Sequence, residues 1–183
     1  MDMFRKPRLA WANGLVRRRL KKTYRNKKFN NLKNAHKIGI VWDGSNLESF
    51  QDLTAFFQLM TGKGIQVDIL CYYPGTVLPD EYTALRHLSC FKSSDLSFFY
   101  LPKSEEISDF ISTPYQILID INFNNRFPLY YITAFSKAEF KIGKGGSIMQ
   151  EALDMSIELD DKNNISFYLE QVQHYLEMIN TGV

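Results

Sequence analysis

Cysteine is nearly absent from this sequence. The 183 residues contain two, Cys71 and Cys90, in the apolar settings ILCYY and LSCF. Neither belongs to a CxxC pair, so both are expected as reduced core residues, and the cytoplasm is the expected location. Histidine is equally sparse. His36, His87 and His174 are scattered, and with two distant cysteines they make no zinc spacing. Also missing is an apolar run of about 18 residues, so no transmembrane helix is expected. The most apolar stretch near the start, LAWANGLV, is broken by Asn13 and Gly14, and no small-residue cleavage site follows. A secretory signal is therefore not expected. The lack of serine before Ser45 counts against an organelle transit peptide. No G-x-S-x-G elbow occurs, which leaves nucleophilic catalysis without support. The glycine-rich KIGKGGS, 141–147, fits neither GxxxxGK[ST] nor GxGxxG and reads as a connector.

The scarcest residues at the beginning are the acids. Residues 1–37 hold 13 Lys or Arg and one acid, Asp2, a charge of +12. Residues 38–183 hold the other 9 bases and 19 acids, a charge of −10. The net +2 conceals this division. It predicts a basic N-terminal arm, 1–36, attached to one α/β domain, 37–183.

Within the arm, Trp11, Leu15, Leu20 and Tyr24 recur at spacings of four to five, which predicts a helix over about 8–28. IGIVWD, 38–43, is an apolar run ending in a turn and predicts a buried strand. Ser45 or Asn46 is the expected cap of the helix after it. Strands are further expected at 65–73, 96–101, 115–121 and 140–143, with a short helix over 80–92. Ser104 is the expected cap of the helix EEISDFI, and Pro128 opens PLYYITAFS. Alternating strands and helices predict a Rossmann-like three-layer α/β sandwich with a mostly parallel sheet. The alternating polarity of 154–160 predicts an edge strand. The last helix is expected after Asn163 or Asn164, its apolar stripe closing the core.

Two kinds of chemistry have candidates. Arg17, Arg18, Arg19, Lys21, Lys22, Arg25, Lys27 and Lys28 form a cationic run without an acid, suited to the phosphates of RNA. Trp11 and Tyr24 are the candidates for stacking on unpaired bases. The expected partner is structured RNA, with ribosome association as its sharper form. Anionic membrane is the alternative, because Phe4, Trp11, Leu15 and Leu20 interleave with the cations. Separately, Asp43 and Asp120 fall at the carboxyl ends of two strands, where paired carboxylates hold Mg²⁺.

VWDGSN and the later IDINFNNRFPLYYI resemble motifs of PIN/NYN-type nucleases. That resemblance implies a Mg²⁺ site on Asp43 and Asp120, with Asn122, Asn124 and Asn125 standing where further carboxylates would be. Over a longer span, IGIVWDGSN, then YQILIDINFNNRFPLYYITAFSKAEFKIG, then DMSIEL and EQVQHYLEMIN resemble a Bacteroidota family of small α/β proteins, a domain of unknown function. It implies no catalytic residue and no cofactor. FPLYYITAFSKAEFKIG more weakly resembles a unit in the N-terminal half of heptosyltransferases, but the chain is too short for their donor-binding half. The leading expectation is a non-enzymatic RNA-binding protein without a cofactor.

Overall fold

The computed structural model of this protein describes residues 5–85, 87–146, 150–159 and 164–179. Its strands are β1 (Lys37–Asp43), β2 (Gln66–Tyr73), β3 (Leu88–Lys92), β4 (Ile117–Ile121), β5 (Phe140–Lys144) and β6 (Met155–Ile157). They form one six-stranded sheet in the order β3-β2-β1-β4-β5-β6. Every neighbouring pair is parallel. The helices are α1 (Arg5–Leu20), α2 (Ser49–Gly62), α3 (Asp80–Thr83), α4 (Glu105–Ser112), α5 (Phe127–Phe135) and α6 (Ile165–Met178).

The near-continuous apolar strands follow from burial on both faces. Ile38, Ile40 and Trp42 of β1 pack with Leu53 and Met60 of α2 and Leu169 and Val172 of α6. Their alternates Val41, Leu70 and Leu118 pack with Ile107 and Phe110 of α4 and Leu129 and Ile132 of α5. β6 lies at the sheet edge, as its alternation predicts, with Ser156 exposed and Ile157 buried. Asp160 lies outside the described residues.

The caps divide. Ser104 accepts from Ile107 N at 3.3 Å and Asn164 from Phe167 N at 2.8 Å; the alternative cap Asn163 is outside the described residues. α2 starts later than expected, and Ser45 and Asn46 do not cap it. They form the turn before it, where Ser45 N donates to Asp43 Oδ1 and Asn46 Oδ1 accepts from Glu48 N.

Two element assignments need correction. The third strand is LSCFK, 88–92, which the sequence had placed in a helix. Leu88 and Phe91 are buried there, while the aromatic run 96–101 is a loop closed by one Leu96–Pro102 bridge. The run is rich in strand formers, but its Phe98 stands exposed and Tyr100 has φ 61°, which no strand allows. The N-terminal helix ends at Leu20 rather than near 28, and its buried stripe is Leu9, Ala12, Val16 and Leu20. That stripe has true helical spacing; Trp11 and Leu15 lie beside it, half in solvent.

α1 is laid on the outer side of α5. Ala12 and Val16 pack with Phe127, Tyr130, Ala134 and Phe135. The cause is legible in FPLYYITAF, which is apolar all round and buried at every position except Tyr131. Such a helix needs cover on both sides. Beyond α1, residues 21–36 form a strap across the amino ends of the strands. Lys28 N donates to Glu139 O, Leu32 N to Leu176 O, and Asn30 Nδ2 to Gln116 O. No helix among the described residues is long and apolar enough to cross a membrane.

Candidate functional site

The sheet order reverses between β1 and β4, and their connections leave in opposite directions. A crevice opens there at the carboxyl ends of the strands. Asp43 ends β1 and Asp120 is the penultimate residue of β4. Val41 is the register partner of Asp120, so the two acids share a face and their Cα atoms lie roughly 8 Å apart by strand geometry.

Neither carboxylate is open. Asp43 Oδ1 accepts from Ser45 N at 3.1 Å, and Oδ2 accepts from Asn124 Nδ2 at 2.8 Å and Arg126 Nε at 3.0 Å. Asp120 is buried; Oδ2 accepts from Thr133 Oγ1 at 2.6 Å and Oδ1 from Asn122 N at 2.9 Å. Burial pushes Asp120 up to about 6, against the pull of those two donors and of the Lys141 charge. A guanidinium on one acid and a hydroxyl and an amide on the other are donors, and a cation would have to displace them. The donor set does not fit the Mg²⁺ site implied by the nuclease resemblance. Among the described residues no group of three or more carboxylate, histidine or cysteine side chains is placed to hold a metal. Asp43 instead holds Arg126 at the start of α5.

Gly44 completes this turn by its size. A Cβ there would lie 2.5 Å from Cys71 Sγ and 3.1 Å from Tyr82 Cε2. Its carbonyl accepts from Tyr82 Oη at 2.9 Å, so the backbone cannot step aside freely. Gly44→Ala is expected to cost about 1–3 kcal/mol as overpacking, read by urea unfolding. A cost under about 0.5 kcal/mol, the range of an innocuous surface change, would show that the Cys71 side yields.

The cationic candidates separate into three groups. Arg25 is turned inward: its guanidinium meets both Asp154 oxygens at 2.6 Å and the carbonyls of Ala138 and Glu139 at 2.7 Å. The two side chains are 9% and 10% exposed. Burial alone would raise Asp154, but hydrogen bonds from Arg25 and from Lys141 N outweigh it and hold the carboxyl below its ordinary range. A second group sits on the domain surface. Arg17 Nε reaches Glu151 at 2.8 Å, Lys27 Nζ reaches Asp154 at 3.1 Å, and Arg19 lies 5.0 Å over the Phe135 ring. The Arg17 pair is exposed and adds little to stability. The third group, Arg18, Lys21, Lys22 and Lys28, is exposed and makes no ion pair among the described residues. Of the aromatic candidates, Tyr24 is 85% exposed, while Trp11, 53% exposed, rests on Phe99 with ring centres 4.5 Å apart.

Sequence reasoning missed the cleft beside Arg126. It encloses about 730 Å³ and is walled by α1, the 96–100 loop and the β4–α5 connection. Its walls come from segments far apart in the chain, so no local pattern announces it. The available signal was NNRFPL, an arginine and two amides immediately before a proline-opened helix.

Comparison with curated proteins finds no match. A family of unknown function, DUF6913, matches residues 10–179. The match takes in most of α1, the strap, the sheet and α6, and the chain belongs to the DUF6913 family.

Proposed function

We propose that this protein binds structured RNA through the outward face between Arg17 and Lys28, and that it does so as a binding module without chemistry of its own. Ribosome association and a cytoplasmic location are the sharper form of the proposal. The observation that carries it is the division of labour within one short segment. The apolar side of α1 is consumed by α5, while Arg18, Lys21, Lys22 and Lys28 stay in solvent without carboxylate partners among the described residues. Tyr24 stands among them with its ring accessible to an unpaired base. The acidic remainder of the chain limits indiscriminate coating by nucleic acid and leaves this face as the point of attraction. A membrane surface is less favoured, because Leu20 packs partly into the α1–α5 cluster and Trp11 rests on Phe99, which takes up part of the apolar surface that would enter lipid.

Truncating the segment would expose α5, so the test uses substitutions on the surface. With a ribosomal RNA fragment as probe, about six phosphate contacts give a slope of log K on log[salt] of roughly −5. The combined variant Arg18→Gln, Lys21→Gln, Lys22→Gln and Lys28→Gln is expected to keep its fold and to flatten that slope by about 3–4. Equal affinity and equal slope in the variant would overturn the proposal. So would binding to vesicles of anionic lipid with none to RNA.

A further inference from the structure

We infer that the cleft at the reversal point of the sheet is a binding site for a nucleoside monophosphate, with the phosphate at Arg126 and the base toward Phe98 and Tyr100. The inference stands on different residues from the cationic face and does not need it. The space, about 730 Å³, falls in the range of pockets that enclose small ligands. Its position beyond the carboxyl ends of parallel strands is where open α/β sheets receive ligands.

The lining sets the charge of the ligand. Arg8 and Arg126 both line the cleft, and among the described residues no Asp or Glu does. That is notable in a chain whose residues 38–183 carry 19 acids. Arg126 gives only Nε to Asp43, at 3.0 Å, and its two η nitrogens make no hydrogen bond among the described residues. Asp43 therefore fixes the guanidinium and leaves its fork for a phosphate. The fork stands at the start of α5, where the backbone N–H groups add positive potential. Asn124 and Asn125 of the same connection also line the wall.

The opposite wall sets the body of the ligand. Arg8 is stacked against the rings of Phe98 and Tyr100, 4.3 and 5.2 Å from their centres, and donates to Tyr100 Oη at 3.1 Å. Phe98 is largely exposed. An aromatic and guanidinium platform of this kind accepts a planar base. Strain is concentrated at the same place. Among the described residues the non-glycine residues with positive φ are Tyr100, at 61°, and Asn125, at 53°, and both line the cleft. Left-handed backbone at a tyrosine persists where the surroundings impose it, and such positions gather at ligand sites.

The same chemistry is offered by a free nucleotide and by one residue of an RNA strand. Titration calorimetry with AMP, GMP, CMP and UMP, each against its nucleoside, reads the first source. The trinucleotide UpUpU reads the second. Saturable binding of a monophosphate, or of the trinucleotide alone, with none of a nucleoside, is the expected result. Arg126→Lys, which keeps a cation for Asp43 but loses the fork, is expected to weaken it about tenfold with the melting temperature held. Tyr100→Gly, which relaxes the backbone and removes the ring, gives a second variant with the same expected direction. Nucleosides binding as well as their phosphates would overturn the assignment, as would no saturable heat from any of these probes. The fourfold Gln variant of the cationic face should bind them unchanged, which separates failure here from failure of the RNA-binding face.

Discussion

Arg25→Met is expected to destabilise the protein by about 3–5 kcal/mol, the cost of removing one partner from a buried ion pair. Arg25 does not merely neutralise Asp154. Its four short hydrogen bonds tie the strap to the carbonyls of Ala138 and Glu139 and to the segment leading into β6. Without it Asp154 keeps the Lys141 N–H at 3.0 Å and Lys27 at 3.1 Å, the latter 69% exposed. Lys27 is a weak replacement, so the effect belongs near the lower end of that range. Arg25→Lys should lie between, because an ammonium cannot meet two carboxylate oxygens and two carbonyls in one plane. The pH dependence has a definite sign. Asp154 titrates below its ordinary range in the folded protein, so its stabilisation is present above the unfolded value, near 3.8, and is lost as pH falls through the lower folded value. Urea unfolding of wild type and variant at pH 7 and at pH 3 checks both statements. The difference between the two proteins should shrink at the lower pH. A loss under about 1 kcal/mol at pH 7, the scale of an exposed pair, would show that the strap is held by its other bonds.

Most of the architecture was legible because its signals are local. IGIVWD, IQVDILCYY and YQILIDI declare buried parallel strands, and the alternation in DMSIE declares an edge. Ser104 and Asn164 act as caps where the apolar stripes begin. The misplaced third strand shows where locality fails. LSCFK and LSFFYL have similar propensities, and the choice between them depends on which one reaches β2, where Cys90 becomes the register partner of Cys71. The arm shows a different failure. Charge divides this chain at residue 37, but packing does not, because α5 is apolar on the side away from the sheet and takes α1 as its cover. Three candidate residues were then redirected by their neighbours. Arg25 meets Asp154, Trp11 meets Phe99, and Asp43 meets Arg126. None of these pairings is within reach of a sequence window, since each joins residues more than eighty positions apart. The cleft is the extreme case: Arg8 and Arg126 are brought to one space only when both α1 and the β4–α5 connection are in place.

Asp120→Asn is expected to remove a pH effect at the centre of the sheet. Burial raises the Asp120 carboxyl from 3.8 to about 6. Between those values the folded protein holds a proton that the unfolded chain has released. Stability from this group is therefore greatest below pH 3.8 and falls as pH rises toward 6. Two pH units correspond to about 3 kcal/mol. An asparagine has no proton to lose. Its Oδ1 keeps the N–H of Asn122, and its amide nitrogen faces Thr133, whose hydroxyl turns from donor to acceptor. Lys141 opposes this gain. It donates to the carbonyls of Thr133 and Ala134 at 2.6 and 3.1 Å, and burial, reinforced by the Arg25 charge, lowers it to about 7. Only between about 6 and 7 are Asp120 ionised and Lys141 cationic together, and there the variant loses that attraction. The other carboxylates titrate alike in both proteins and cancel in the comparison. The stability of the variant relative to wild type should thus rise by up to about 3 kcal/mol between pH 3.5 and pH 7 and stay level above it, as read from urea midpoints at half-unit intervals. Parallel curves would mean that Asp120 ionises in the fold as it does in water, with Thr133 and Asn122 fully offsetting its burial.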